Sequence, residues 1–171
     1  FMQELPEIHE VVVCKISKIL DYGAFCELLE YQNLQGFVHI SQVASGWVKN
    51  IRNFVKEGEV RAAEIAAIDM TKNHIDLSFT KVSVATQRQK LEEYRQTKRA
   101  QKLIELMAAE KKLPAEQAWQ EIGKPLLETY DSLYAAFQEI LVNGTDAAKG
   151  VDKKWHDVLL KTVEKNIETP I

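Results

Sequence analysis

The fold is decided by the stretch Asp21-Tyr22-Gly23-Ala24-Phe25-Cys26-Glu27-Leu28, in which apolar and small residues alternate and cluster as they do in a β-strand. A second stretch, Gln35-Gly36-Phe37-Val38-His39-Ile40, has the same pattern. On either side of this pair, residues 11–16, 60–68 and 74–78 predict three more strands, the last two joined by a polar turn. The N-terminal part of the chain therefore contains five predicted strands.

A long excursion separates the third predicted strand from the fourth. Five short strands with one such excursion are the pattern of a small closed barrel of the OB type, because closure removes the exposed edges of a sheet. The excursion covers residues 41–56, and the spacing of Trp47, Ile51 and Val55 predicts a helical turn packed over one end of the barrel.

From Val84 onward the apolar residues follow the period of a helix. A long charged helix is predicted over residues 87–112, and a second helix begins at Pro114, with Gly123 and Pro125 expected to break or kink it. Two more are predicted, one ending at Asn143-Gly144 and one over residues 152–168. The residues expected to face the helical core are Leu91, Tyr94, Leu103, Ile104, Met107, Ala108, Trp119, Ile122, Leu126, Leu127, Leu133, Phe137, Ile140, Leu141, Trp155, Val158, Leu159, Val163 and Ile167.

These two periodicities predict a multi-domain α and β protein. Residues 1–83 are expected to form an all-β, five-stranded OB-fold barrel, and residues 84–171 an all-α helical domain. No internal repeat of fixed period and no low-complexity segment is present, which excludes solenoids and disordered tails.

Composition and motifs exclude several classes of function. The formal net charge of −3 argues against a protein that binds nucleic acid by bulk electrostatics. The two cysteines and four histidines have no metal-ligand spacing, and no catalytic motif is present, so neither an enzyme nor a metal site is expected. No apolar run reaches membrane-spanning length and no signal-peptide pattern begins the chain, so a cytoplasmic location is expected.

Tyr22 and Phe25 are the candidates for a binding surface. A flat aromatic ring presents its π-face to any base, so stacking binds single-stranded nucleic acid with little sequence preference. Gly23 between them would let backbone and ligand come close. The alternative is that the two rings simply pack at the mouth of the barrel. The excursion supplies the candidate phosphate contacts Lys49, Arg52 and Lys56.

The motifs Asp21-Tyr22-Gly23-Ala24-Phe25, Gly36-Phe37-Val38-His39-Ile40-Ser41 and Ile75-Asp76-Leu77-Ser78 together resemble the S-one family of RNA-binding repeats, which are OB-fold barrels, over about residues 8–82. The resemblance implies an RNA-binding face formed by Tyr22, Phe25 and His39, with a structural role for the histidine as the alternative. Members that bind RNA firmly often carry an Asp and a nearby Arg around the last turn. This chain has Asp69, but Asn73-His74 stands where the Arg is expected, which adds Asp69 and His74 to the candidate site and implies low affinity for free RNA.

The stretches Ser45-Gly46-Trp47-Val48-Lys49-Asn50-Ile51-Arg52 and Leu133-Tyr134-Ala135-Ala136-Phe137 resemble the family of alpha subunits of archaeal translation initiation factor 2, and this resemblance covers essentially the whole chain. It implies a heterotrimer in which the gamma subunit binds GTP and, with alpha, carries initiator methionyl-tRNA to the small ribosomal subunit. It also implies that this chain has no catalytic residue and no cofactor of its own, GTP being expected on gamma. The α/β domain that docks on gamma is expected to be absent, which would make the chain a fragment with the first two domains.

Two other functions stay open. A general single-stranded RNA-binding module of an RNA-processing or chaperone protein would share the barrel but have a different companion domain, so the helical half discriminates. A module that binds only proteins is supported by the acidic charge of residues 1–83 and by the missing Arg. For the favoured function, the barrel would contact tRNA, mRNA or the small ribosomal subunit, weakly and in a salt-dependent manner.

Overall fold

The computed structural model describes residues 5–168. Its internal contacts divide the chain into two compact units, with the division between Tyr94 and Arg95. The domain boundary predicted between residues 83 and 84 coincides with the beginning of helix α1 (Val84–Glu110), whereas the division by contacts falls inside that helix. The first turns of α1 thus belong to the barrel unit.

Side chains of these first turns satisfy polar groups of the barrel. The Gln87 side-chain oxygen accepts a hydrogen bond from the Ala62 backbone N–H. The Lys90 ammonium lies 3.0 Å from a carboxylate oxygen of Glu30, whose other oxygen accepts from the Val13 N–H at 2.7 Å. Buried backbone donors need such partners, because an unpaired one costs about as much as a lost hydrogen bond.

The N-terminal unit is a closed barrel of five strands, as the sequence predicts. The strands are β1 (Val11–Leu20), β2 (Gly23–Leu28), β3 (Gln35–His39), β4 (Val60–Asp69) and β5 (His74–Ser78). Their order around the barrel is β1-β2-β3-β5-β4, and every pairing is antiparallel except the parallel pairing of β3 with β5. The OB-type fold predicted for this part of the chain is confirmed.

Alternation along the strands separates the barrel interior from its outer face. On β2, Ala24, Cys26 and Leu28 are buried in the core, whereas Phe25 and Glu27 lie on the outside. Cys14 and Cys26 are free thiols, and the pKa of Cys14 is raised by its hydrogen bond with Cys26 and by burial, which keeps it protonated. Within residues 5–168 no cluster of three or more His, Cys, Asp or Glu side chains could hold a metal ion.

The excursion between β3 and β4 contains two short 3₁₀ turns, Ile40–Gln42 and Ile51–Asn53. Ile51 and Val55 are buried in the barrel core, as predicted. The predicted packing of Trp47 is wrong: its side chain is 85% exposed. Gly46 takes a positive φ of 83° immediately before it, and the neighbouring Val48, not the tryptophan, is the residue that packs into the core.

The helical unit follows the predicted order. After the C-terminal part of α1 come α2 (Ala115–Ala118), α3 (Lys124–Thr129), α4 (Leu133–Asn143) and α5 (His156–Asn166). Ser132 caps α4 by accepting from the Ala135 N–H, and the helix ends at Gly144 with φ 73°. In the part of the chain that the structure describes, no helix combines the length and the apolarity that a membrane span requires.

The break expected at Gly123 and Pro125 takes a different form. A single π-helical turn, Trp119–Gly123, connects α2 directly to α3, and the Lys124 N–H reaches back to the Trp119 carbonyl. A proline two residues past the turn cannot donate a backbone hydrogen bond, and a wide turn accommodates that loss without ending the helix. Leu127, predicted to face the core, is 41% exposed because the wide turn shifts the helical phase, while Leu126 is fully buried.

Candidate nucleic-acid interface

Three aromatic rings form a cluster on the outer face of β2 and β3. Phe25 and Phe37 are directly opposite each other in the β2–β3 register, and their ring centroids are 5.1 Å apart. Tyr22, in the turn before β2, has its ring centroid 5.8 Å from that of Phe37 and is 58% exposed. Phe37 is therefore the central ring of the cluster.

The backbone holds Tyr22 in position. Its carbonyl oxygen accepts a hydrogen bond from the Ile40 N–H at 2.9 Å, which ties the β1–β2 turn to the end of β3. This bond anchors the backbone of Tyr22 at the end of β3, where its ring adjoins that of Phe37. The two rings that the sequence singled out, Tyr22 and Phe25, are thus brought to the same face of the barrel.

The rings line a groove of about 380 Å³ on the outside of the barrel. Its other walls come from β3 and from the beginning of β5. The lining residues are Tyr22, Phe25, Gln35, Gly36, Phe37, Asn73, His74, Ile75 and Asp76. None of them is a lysine or an arginine, so the groove is suited to a flat uncharged group such as a base rather than to a phosphate.

Phe37 was not among the predicted site residues. A sequence signal for it exists. Like Phe25, Phe37 lies between two small or apolar residues of a predicted strand, so its side chain is expected on the opposite face from theirs. The missing information was the register, which places Phe37 opposite Phe25.

Gly23 has a different role from the one predicted. A Cβ atom at this position would overlap Cζ of Phe37 and the carbonyl oxygen of Val38, and would lie 2.9 Å from Cε1 of Phe37. The space above Gly23 is therefore filled by the Phe37 ring rather than left open for a ligand.

The two candidate histidines occupy different places. His74 lines the groove at the beginning of β5. His39 does not line it: this residue pairs with Gly23 across the sheet, and its Nδ1 accepts from the Ser41 N–H at 3.1 Å and lies 2.8 Å from the Ser41 hydroxyl. His39 thus caps the 3₁₀ turn that begins the excursion, which is the structural alternative considered for it.

The candidate cations do not line the aromatic groove. Lys49 and Arg52 line a second, open groove together with Asp21 and Asn50. The Arg52 guanidinium donates to the Asp21 carboxylate and to the Ile19 carbonyl, each at 3.2 Å. Both charged groups of this pair are more than half exposed, so the ion pair is solvent-screened and leaves Arg52 accessible. Lys56 is exposed and lines neither groove.

Asp69 shapes the turn between β4 and β5. Its carboxylate accepts hydrogen bonds from the Thr71 hydroxyl at 2.6 Å and from the Thr71 N–H at 3.2 Å. The hydrogen bond from the Thr71 hydroxyl is the main reason why the pKa of Asp69 lies below its usual value, and the backbone N–H bond lowers it further. Asp69 pairs with His74 across the strands but does not itself line the groove. It therefore positions the turn from which Asn73 and His74 enter the site.

One further cation adjoins the cluster. Lys18 on β1 is opposite Phe25 in the β1–β2 pairing, next to a bulge between Ile16 and Lys18, and its side chain is exposed. The bulge adds a residue to β1 and so shifts the alternation of faces, which single-strand patterns do not reveal.

An aromatic groove on the outside of a closed five-stranded barrel defines the N-terminal unit as an OB-type binding barrel, and residues 5–80 match the family model of the S1 RNA binding domain. Residues 118–171 match the model of the eukaryotic translation initiation factor 2 alpha subunit. The chain belongs to the family of translation initiation factor 2 alpha subunits.

Relatives of this family resemble almost the whole chain. The alpha subunits from Thermococcus onnurineus and Pyrococcus furiosus are 41% and 38% identical to it, each over 98% of this chain and 62% of their own. The chain therefore spans 62% of the length of these curated relatives.

Two solved structures have the same fold. The intact alpha subunit from Pyrococcus abyssi has a TM-score of 0.87 at 40% identity, with 98% of this chain and 64% of that chain covered. A chain of the a/eIF2alpha–aDim2p–rRNA complex from Pyrococcus horikoshii has a TM-score of 0.80 at 40% identity, with 98% and 100% covered.

Proposed function

We propose that the barrel binds single-stranded RNA by stacking bases in the aromatic groove. The observation that carries the proposal is the cluster of three rings on one outer face, with Phe37 in contact with both Tyr22 and Phe25. A contiguous apolar patch on an outer surface marks an interaction site. An exposed Tyr22 ring beside two half-buried phenylalanines, in a groove lined by no Lys or Arg, favours a base as the bound group.

Membership of the family indicates the process in which this RNA binding would take place. The Pyrococcus horikoshii relative was crystallised in a complex with aDim2p and rRNA, which supports RNA as a partner of the present chain. We propose that the chain acts in translation initiation as the alpha subunit of a heterotrimer, in which a gamma subunit binds GTP and delivers initiator methionyl-tRNA to the small ribosomal subunit. In this function the chain binds and positions RNA, performs no catalytic step and carries no cofactor of its own.

Phe37→Ala is expected to weaken binding of a short single-stranded RNA about tenfold, because stacking on an aromatic side chain contributes about 1–3 kcal/mol per base. Removal of the central ring also leaves Tyr22 and Phe25 without their shared neighbour. The measurement is fluorescence anisotropy with a labelled hexanucleotide at low salt. Because the groove has no lysine or arginine, the affinity is expected to be weak and to fall only gradually as salt is added.

The matched control is Phe54→Ala. Phe54 is an exposed phenylalanine of the same barrel unit, 47% exposed, and it lines neither groove. Its replacement should leave RNA affinity unchanged, whereas equal losses for both variants, or no loss for Phe37→Ala in a folded protein, would remove the aromatic groove from the RNA site.

The heterotrimer is tested separately. A chain that spans the full length of the relatives is expected to co-purify with a gamma subunit of initiation factor 2, and Phe37→Ala should not disturb that complex, because the aromatic groove is assigned to RNA. Failure of the full-length chain to bind gamma would contradict the heterotrimer. Loss of gamma binding in the folded Phe37→Ala variant would make the groove a protein-binding surface.

A further inference from the structure

Asp76 is the one residue lining the aromatic groove that has a formal charge at neutral pH when histidine is neutral. It lies beside Phe37 in the parallel pairing of β3 and β5. The residue opposite it on β4 is Ala67, which has no polar side-chain group. Within residues 5–168 no hydrogen bond or ion pair engages the Asp76 carboxylate, so both of its oxygens are available to a ligand.

The groups around Asp76 are polar and uncharged. His74 is two residues earlier on β5, on the same face, and Gln35 and Asn73 contribute side-chain amides to the groove lining. Amides donate or accept according to the ligand, whereas an ionised carboxylate only accepts. The carboxylate is thus the group in this groove that discriminates most strongly between hydrogen-bond donors and acceptors.

A carboxylate repels a phosphate, so a bound nucleotide is oriented with its base toward Asp76 and its backbone away from it. Guanine offers two adjacent donors on its Watson–Crick edge, N1–H and the N2 amino group, which match the two oxygens of a carboxylate. Uracil offers a single N3–H between two carbonyl oxygens, both of which a carboxylate repels. Adenine and cytosine are intermediate, because each has an amino donor beside a ring-nitrogen acceptor.

We propose that Asp76 makes the aromatic groove select guanine over uracil. Phe37, with Phe25, stacks the base, and the carboxylate beside it accepts from N1–H and from the N2 amino group. The inference rests on the proposed function, RNA binding in this groove, and adds a specificity that the aromatic rings alone do not provide.

The test compares three labelled hexanucleotides by fluorescence anisotropy: hexauridylate, the same chain with one internal guanosine, and the same chain with inosine at that position. The guanosine oligonucleotide should bind about tenfold tighter than hexauridylate, the discrimination expected of a paired hydrogen-bond contact. Inosine, which keeps N1–H but lacks the N2 amino group, should fall between them. In Asp76→Asn, the amide can accept from only one of the two guanine donors and can also pair with N3–H and a carbonyl oxygen of uracil, so the guanosine-to-uridine ratio should drop to about one.

Glu27→Gln is the matched control, because Glu27 is an exposed carboxylate on the outer face of β2 that does not line the groove; it should keep the guanosine preference. Equal affinities for the three oligonucleotides, with binding still lost in Phe37→Ala, would overturn the role of Asp76 and leave RNA binding in place. A guanosine preference that survives Asp76→Asn would overturn it as well. Absence of binding, or binding that Phe37→Ala does not weaken, would overturn the proposed function and this inference with it.

Discussion

Trp155→Ala is expected to lower the free energy of unfolding of the helical unit by about 3–5 kcal/mol, the range for removing a large aromatic side chain from a packed core. Trp155 is fully buried immediately before α5, within the cluster that includes Phe137 and Leu159. Its Nε1–H donates to the Glu121 carboxylate at 3.4 Å. Alanine would leave a cavity that the surrounding helices fill only in part, and Glu121 would lose one of its donors.

The measurement is urea unfolding followed by the circular dichroism of the helices. Trp47→Ala is the matched control, since Trp47 is 85% exposed in the other unit and substitutions at such surface positions change stability by no more than about 0.5 kcal/mol. If the two variants unfold at the same urea concentration, the burial of Trp155 does not contribute the expected free energy of unfolding.

The contrast between these two tryptophans shows what the sequence could and could not predict about the core. Trp155 belongs to a run of apolar residues at helical spacing, so its burial followed from local periodicity. Trp47 stands in an irregular segment, where periodicity has no fixed phase. There Val48 is buried and the tryptophan, which follows Gly46 with its positive φ, is not.

Secondary structure was predictable where the signals are local. The alternation of residues predicted all five strands. Ser132 and Gly144 are the residue types that commonly cap helices, and they stand at the beginning and the end of α4. The π-helical turn at Trp119–Gly123 was not predictable in the same way. A proline and a glycine signal that regular hydrogen bonding is interrupted, but tertiary packing decides whether the chain breaks or only widens a turn.

The same distinction between local signals and tertiary structure applies to the candidate site. Tyr22, Phe25 and His74 were predicted and line one groove, to which the β1–β2 turn, β2, β3 and the beginning of β5 contribute. Lys49 and Arg52 were predicted for the same site but line a second groove. The central ring, Phe37, depends on the β2–β3 register, and the neighbouring Lys18 depends on a bulge in β1, neither of which a single strand reveals.

Gly23→Ala is expected to lower the free energy of unfolding of the barrel by about 3 kcal/mol, the upper part of the range for adding a methyl group to a packed site, and to abolish RNA binding in the groove. The added Cβ would overlap both the Phe37 ring and the Val38 carbonyl oxygen. A ring can rotate away, but the carbonyl belongs to the β3 backbone and cannot move without disturbing the pairing of Gly23 with His39. The strain therefore reaches the sheet as well as the groove.

Combining Gly23→Ala with Phe37→Leu separates these two contributions. The smaller side chain removes the overlap with the ring but not the overlap with the Val38 carbonyl, so stability should recover only in part and RNA binding should not recover, because the central ring is gone. Urea unfolding and RNA anisotropy of the single and double variants provide the measurements, with Glu27→Ala on the same strand and face as the control. Full recovery of stability in the double variant would mean that Phe37 alone requires the glycine. Unchanged stability and RNA affinity in Gly23→Ala would show that the ring is not held against β2 at all.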